Sequence, residues 1–382
     1  MPKVFSATSV HPWDDIRVLR KEGVSLAQRY QVELHAPAPF DYREYEGVRI
    51  HGLPQWERVS DRRAIRRELR RRIRLSDAEI FHFHDPELIP LGLLVKLVYK
   101  KRVIYDIHED YPAYFRHKGW IPWPLRGLVA AAFRYIERLT CRFFDHLITT
   151  SPAINGNFAR FPTTMVLNYP RLEADGAFPE KAKGPLAFVY AGSMEEIRGI
   201  RELGQAFLRI VAQTATPVRL HIAGQLRGSE QFQQEVQAIF QHPSVQYHGV
   251  LPFEAAMALM RSCHVGVIPF LPLACNVNIV PHKLFDYMAA GLAILASDFN
   301  GWPRNLLEWD IGLLFDPTKQ ESIDRQLIAA ATAGERLEQM GKRAFQLVRE
   351  RFTWASQEEQ LFQAFDAVVS ASPAELSVSS RR

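Results

Sequence analysis

Cysteine is scarce in this chain: three among 382 residues, at Cys141, Cys263 and Cys275. They are odd in number and far apart, which excludes a disulfide framework or a cysteine metal cluster and fits a reducing compartment. No apolar run reaches the ~18 residues that a membrane-spanning helix needs. The opening stretch MPKVFSATSVHPWDD lacks the long apolar segment of a secretory leader and turns acidic at once, so the expected location is the cytoplasm. No repeat of 20–50 residues and no interior low-complexity block is visible. Charge of neither sign dominates, with 47 Lys and Arg against 42 Asp and Glu and a formal charge of +5. Its distribution is uneven: residues 1–170 hold 27 basic against 19 acidic side chains. An anionic partner would meet that half first.

What is present is an alternation of short apolar strands with amphipathic helices, the pattern of parallel sheets covered on both faces. The first half predicts strands at 3–8, 31–35, 80–84, 102–107 and 146–150, and helices at 16–28, 61–75, 86–98 and 125–144. The second half predicts strands at 186–191, 218–223, 245–248, 265–268, 293–297 and 312–315. Helices there are expected at 197–212, 229–241, 253–262, 283–290 and 320–351. The segment 170–185 is rich in Pro, Gly, Ala and charge without periodicity, so the boundary is placed there. The expected division is 1–170, 171–352, a helix over 353–370 returning to the first domain, and a flexible tail over 371–382. Ligands of such sheets bind at the carboxyl ends of the strands.

One string stands out, Asn278-Ile-Val-Pro-His-Lys-Leu-Phe-Asp-Tyr-Met-Ala-Ala-Gly291. Pro281 suits the first turn of a helix, and Gly291 suits its end. A helix start carrying Lys283 offers free backbone N–H groups, a favourable dipole and an ammonium to an anion. Asp286, one turn on, can accept hydrogen bonds from a ribose diol. An ordinary capped core helix has the same pattern.

The run PHKLFDYMAAG followed by LAILASD resembles the donor-binding signature of glycosyltransferase family 4. That resemblance implies the α/β GT-B fold, two Rossmann-like doubly wound domains facing across a cleft. It also implies retaining, metal-independent transfer from a nucleoside-diphosphate sugar to a hydroxyl acceptor, with no cofactor beyond that donor. Members typically carry two glutamates with seven residues between them, where this chain has Asn278 and Asp286. VYAGSMEEIRGIRELGQAF resembles the family's first strand, loop and helix of the donor domain. There Gly192 forms the turn, Ser193 replaces an arginine, and Arg198 takes the position of a lysine that meets the diphosphate. LHIAGQL with Gly224 and YHGVLPFEAAMALM around Val250 resemble the next turn and the nucleobase loop. His282 and Lys283 complete the expected donor set with Asp286, and Asn278 would contact the transferred sugar.

The first half resembles the same family throughout. In SVHPWDDIRVLRKEG an Asp15–Arg17 element is expected to pair locally, with His11 on the acceptor side. FHFHDPELIP and YDIHEDYP each end a strand with histidine and carboxylate. His82 and His84 share a strand face and are read as structural, with no metal expected. His108 matches the family's cleft histidine, and imidazole there can orient the sugar or bond the incoming hydroxyl. Glu109 and Asp110 follow it.

The helix Asp61–Leu75 holds eight arginines around Ile65, Leu69 and Ile73. It reads either as a solvated charged helix or as a surface for anionic lipid, and Trp120–Trp123 as a loop or a lipid-interface element. Nucleic acid is not expected, because no base-reading module accompanies the arginines. The acceptor is read as a carbohydrate or lipid-linked hydroxyl, as in surface polysaccharide or glycolipid assembly at the inner face of the cytoplasmic membrane. Two alternatives stay open: a non-catalytic subunit of the same fold, and a nucleotide-sugar epimerase.

Overall fold

The structure, a computed structural model, describes residues 1–116, 121–172, 176–277, 280–299 and 301–370. It divides into a unit of Met1–Asn168 with Trp354–Arg382 and a unit of Tyr169–Thr353. Among the described residues no helix is long and apolar enough to cross a membrane.

The described residues of the first unit form eight strands: β1 (Lys3–Ala7), β2 (Gln31–Pro37), β3 (Tyr42–Tyr45), β4 (Val48–Leu53), β5 (Ile80–Phe83), β6 (Arg102–Ile107), β7 (His146–Thr149) and β8 (Thr163–Met165). Their order is β3-β4-β2-β1-β5-β6-β7-β8, parallel except for the β3–β4 pair. Strands such as VIYDI and IFHF are buried on both faces, which is why they read as near-continuous runs. The chain order reverses between β2 and β5, so β1 and β5 flank the switch point where ligands collect. Apolar layers cover both faces, one around Val4, Leu34 and Ile104, the other around Phe5, Phe81 and Tyr105. The helix Trp354–Ser370 completes the first layer with Leu361, Phe362 and Phe365. Trp354 Nε1 donates to Ser25 Oγ (2.8 Å), and the Gln357 amide oxygen accepts from Leu167 N (2.8 Å).

The described residues of the second unit form six parallel strands: β9 (Leu186–Ala191), β10 (Val218–Ala223), β11 (Val245–Tyr247), β12 (Val265–Ile268), β13 (Ala293–Ser297) and β14 (Gly312–Phe315). The order β11-β10-β9-β12-β13-β14 is that of a doubly wound sheet, with its switch point between β9 and β12. Two doubly wound α/β sheets were expected, and two are found.

Several elements differ from expectation. The hairpin β3–β4 and the short β8 were missed. The hairpin turns at Glu46 and Gly47, both with positive φ (43° and 81°), a backbone usually signalled by Asn-Gly. The predicted helix 320–351 is two, Gln320–Thr332 and Glu335–Arg351, parted at Gly334 where φ is +55°. The segment 16–28 begins as a π-helical stretch, Ile16–Gly23, before the α-turn Val24–Ala27. Its wide turn buries Arg17, Lys21 and Glu22 together, which a regular amphipathic helix would not do.

Candidate active site

In the second unit the loops after β9, β10 and β11 are tied to one another. Gly192 N–H donates to Ala223 O (2.8 Å) and Gly224 N–H to Gly249 O (2.7 Å). Both turns require glycine: Gly192 and Gly224 hold φ of +136° and +143°, and a Cβ on Gly224 would stand 1.9 Å from Gly192 O. A Cβ on Gly192 would lie 3.0 Å from Lys283 Nζ, so this turn runs directly against the ammonium. Lys283 is the second residue of the helix His282–Ala289, whose N-cap is Pro281. Leu284, Phe285, Tyr287 and Met288 bury that helix against the sheet, and Tyr287 Oη accepts from Ala191 N (3.0 Å).

Two cations converge here on shared aromatic faces. Lys283 Nζ lies 3.9 Å from the Tyr190 ring centroid and 5.1 Å from that of Phe270. The Arg198 guanidinium lies 4.6 Å from the same Phe270 ring. Arg198 Nη1 donates to Asn276 Oδ1 (3.3 Å), and the buried Asn276 amide donates to Ile197 O and Leu271 O (2.9 Å each). Asn276 is therefore the bracket that aims Arg198, and sequence reading missed it. Burial, then the nearby Arg198 charge, hold the Lys283 ammonium well below its ordinary pKa, against the opposing pull of Asp286. An anion bound beside these cations would favour the charged form of Lys283.

Ser193 is exposed, with its carbonyl accepting from Tyr190 Oη (2.6 Å), and His282 is exposed at the helix start. Asp286 is half-buried on the same helix. Val250, 71% exposed, borders a groove of about 590 Å³ with Gln225, Leu226, Gln237, Phe240 and Tyr247. The Phe240 and Tyr247 rings stack at 4.3 Å, and Tyr247 Oη donates to Gly224 O (3.0 Å), which ties the groove to the glycine turn. Asn278 lies outside the described residues, as do Trp120 and the tail 371–382.

The first unit gathers a second constellation at the carboxyl ends of β1, β5 and β6. Asp15 does not pair with the Arg17 guanidinium as expected. It caps the π-helical stretch, accepting from Arg17 N and Val18 N (2.9 Å each), and meets His11 Nδ1 at 3.1 Å. A free helix start is a stronger claim on a carboxylate than a guanidinium two residues on, which the wide turn carries inward. Arg17 instead grips Asp106 through Nε and Nη2 (3.1 Å each), donates to Val166 O, and lies 2.7 Å from Glu22 Oε1. Asp106 in turn meets His108 Nε2 at 2.8 Å and His84 Nδ1 at 3.3 Å. Asp85 accepts from Thr8 Oγ1 (2.8 Å) and Ser9 N (2.6 Å), and His11 Nε2 stands 3.6 Å from it.

The electrostatics separate the two histidines. For His108, burial outweighs the Asp106 charge and pulls the pKa down to about 4, so the ring is neutral near pH 7. With Nε2–H donated to ionised Asp106, Nδ1 is left as an acceptor. For His11, burial is opposed and exceeded by Asp15, Asp85 and Glu109, which raise its pKa to about 9. The rings lie 4.9 Å apart. Glu109 is exposed, and Asp110 caps the next short helix by accepting from Ala113 N (3.1 Å). Asp106 was invisible in sequence as a site residue, being the buried fifth residue of an apolar strand.

Glu22, His82, His84 and Asp106 place one metal-ligating atom each within 4.8 Å of one another. The donor set is already balanced by the protein. Arg17 pairs with both Asp106 and Glu22, and burial pushes the Glu22 carboxyl above its ordinary range and His82 below. A cation there would have to displace the guanidinium. Glu33, His35 and His51 form a second such group, but Lys3 and Arg49 face Glu33 and Arg72 reaches His35 Nδ1.

Comparison with known proteins places these features in context. Residues 173–347 match the family described as glycosyl transferases group 1, and residues 17–164 match the glycosyl transferase 4-like domain. An uncharacterised glycosyltransferase of Methanocaldococcus jannaschii is 18% identical over 195 residues. That alignment takes in 51% of this chain, which spans about half of the relative's length (48%). Among solved structures, a sucrose-phosphate synthase of Thermosynechococcus elongatus superposes with a TM-score of 0.76 at 15% identity, covering 97% of this chain and all of the other. An Anabaena protein in complex with UDP and glucose gives 0.69 at 11% identity, covering 96% of this chain and all of the other. The catalytic domain of an Arabidopsis thaliana starch synthase, bound to ADP and acarbose, gives 0.66 at 13% identity, covering 97% and 100%.

Proposed function

We propose that this chain, a group 1, family 4-like glycosyltransferase with the GT-B fold, moves a glycosyl group from a nucleoside-diphosphate sugar to a hydroxyl acceptor with retention of anomeric configuration. The observation that carries the donor reading is the pair of cations, Arg198 and Lys283, brought together on Phe270 beside Gly192. Two positive charges on a backbone turn suit a diphosphate and supply the charge that a divalent ion would otherwise bring. The proposed reaction is accordingly metal-independent. His282 and Ser193 flank the diphosphate, Asp286 takes the ribose diol, and the base lies along the loop of Val250. Asn278 contacts the transferred sugar in this reading.

Retention rests on the resemblance to glycosyltransferase family 4. The bond from the anomeric carbon to the diphosphate oxygen breaks, and the acceptor oxygen bonds to that carbon on the same face. The departing diphosphate takes the acceptor proton, so the protein's work is to stabilise the leaving charge. Neutral His108, held by Asp106, accepts a hydrogen bond from the sugar or the incoming hydroxyl through Nδ1. His11 and Asp15 line the acceptor side with Glu109. The acceptor is a carbohydrate or lipid-linked hydroxyl of surface polysaccharide or glycolipid assembly.

A melting screen of UDP-, GDP- and ADP-sugars tests the donor site, since a ligand at about 100 times its Kd adds about 2.7 kcal/mol of apparent stability. One of them should raise the melting temperature of the wild type and not of Lys283→Ala. Product with inverted anomeric configuration by NMR would overturn retention. Conversion of a sugar nucleotide without acceptor would mark an epimerase instead.

A further inference from the structure

We infer that the helix Arg126–Cys141 is the membrane-docking element of this protein and takes an anionic lipid surface as its partner. One face of this helix belongs to the fold: Ala130, Glu137, Thr140 and Cys141 are buried. The opposite face is apolar and open to solvent. Leu128 is 68% exposed and Tyr135 70%, with Ile136 and Leu139 beside them at helical spacing and Phe143 just past the end. Trp123, in the turn that leads into the helix, is 79% exposed. Soluble surfaces seldom gather this many large apolar side chains in one stripe without a partner.

Charge identifies the partner. Arg134, Arg138 and Arg142 recur every four residues and so run along one border of the apolar stripe. An apolar face edged by arginine, with a tryptophan at one end, is the composition of a helix lying in a lipid interface. Anionic headgroups would meet the arginines, and residues 1–170 carry eight more basic than acidic side chains. A second copy of the chain fits poorly. A 16-residue helix is about 24 Å long, and one face of it offers far less than the ~800 Å² per partner of a stable dimer.

The arginine-rich helix Arg62–Leu75 is a weaker candidate for the same role. Arg72 donates to Gly52 O (2.9 Å) and Glu68 (2.7 Å), while Arg62 and Arg66 pair with Glu87. Its apolar residues Ile65, Leu69 and Ile73 are all buried in the fold. This docking inference stands apart from the transfer reaction and from its donor.

The test is co-sedimentation of the full chain with phosphatidylcholine vesicles, with and without about 30% phosphatidylglycerol, at low and high salt. The wild type should bind the anionic vesicles, more weakly as salt rises. Leu128→Asp/Leu139→Asp should lower binding more than about tenfold at either salt. Arg138→Gln/Arg142→Gln should remove most of the preference for the anionic lipid, whereas Arg63→Gln/Arg67→Gln on the other helix should change binding less than about twofold. These positions are exposed, so unchanged far-UV circular dichroism is expected. Independently of those variants, quenching of wild-type fluorescence by brominated lipid should shrink in Trp123→Phe. Absence of wild-type binding, binding indifferent to Leu128→Asp/Leu139→Asp, or self-association abolished by that double substitution would each overturn the inference.

Discussion

Glu137 offers a prediction whose size and sign both come from the structure. Its carboxyl is buried beneath the helix Arg126–Cys141 and accepts from Tyr105 Oη at 3.1 Å. Burial, helped by Asp110, raises its pKa from the ordinary 4.5 to about 7, against the opposing effects of the Tyr105 bond and of Arg138 and Arg134. A folded pKa above the unfolded one means that the stabilising contribution is complete below pH 4.5 and is lost as pH rises towards 7. Above pH 7 the loss amounts to about 3 kcal/mol. Glu137→Gln stays neutral at every pH and keeps an oxygen for Tyr105. Relative to wild type it should be equal in stability near pH 4.5, gain steadily to pH 7, and level off above. At pH 8 the first unit should melt roughly 6–12 °C higher in the variant, at about 2–4 °C per kcal/mol for a unit of this size. Thermal melts followed by circular dichroism across pH 4.5–8 measure this. A gain independent of pH, or a variant less stable at pH 8, would refute the assigned burial of a charge.

Three other perturbations probe the two sites. Lys283→Ala and Arg198→Ala should each weaken nucleoside-diphosphate binding about 100-fold by titration calorimetry, and the double variant should lose less than the product because both act on one anion. Asp106→Asn keeps the shape but takes from Arg17 the charged partner it grips through two nitrogens, and unsets the His108 tautomer. The variant should destabilise the first unit by about 3 kcal/mol or more and lower kcat with little change in donor KM, whereas an unaltered kcat would exclude the positioning role. Gly224→Ala should abolish donor binding and destabilise the second unit by several kcal/mol, since its Cβ would meet Gly192 O at 1.9 Å and a φ of +143° that alanine avoids. Normal melting of that variant would contradict the turn geometry.

The legible part of the fold was its buried parallel strands, because a strand covered on both faces must be an apolar run such as LAFVYA or AILAS. The hairpin β3–β4 carries polar residues on an edge and turns at Glu-Gly, so neither periodicity nor turn chemistry announced it. The π-helical stretch is set by its bonds, not by composition, so the inward turn of Arg17 could not be read from sequence. On the donor side the local string already placed Lys283 and Asp286 on one helix that stops short of Gly291. Asn276 and the shared Phe270 ring needed three dimensions. Asp106 shows the general reason: its partner Arg17 is 89 residues away in sequence, and a single buried aspartate in YDI resembles a structural residue until that partner is seen.

In the proposed donor site a diphosphate sits between Arg198 and Lys283 on the glycine turns of the second unit. A crystal structure with bound UDP or GDP tests it most directly. Diphosphate oxygens are expected within hydrogen-bonding distance of Lys283 Nζ and the Arg198 guanidinium, against the Gly192 backbone. A diphosphate bound elsewhere, with both cations left facing only Phe270 and Tyr190, would contradict it.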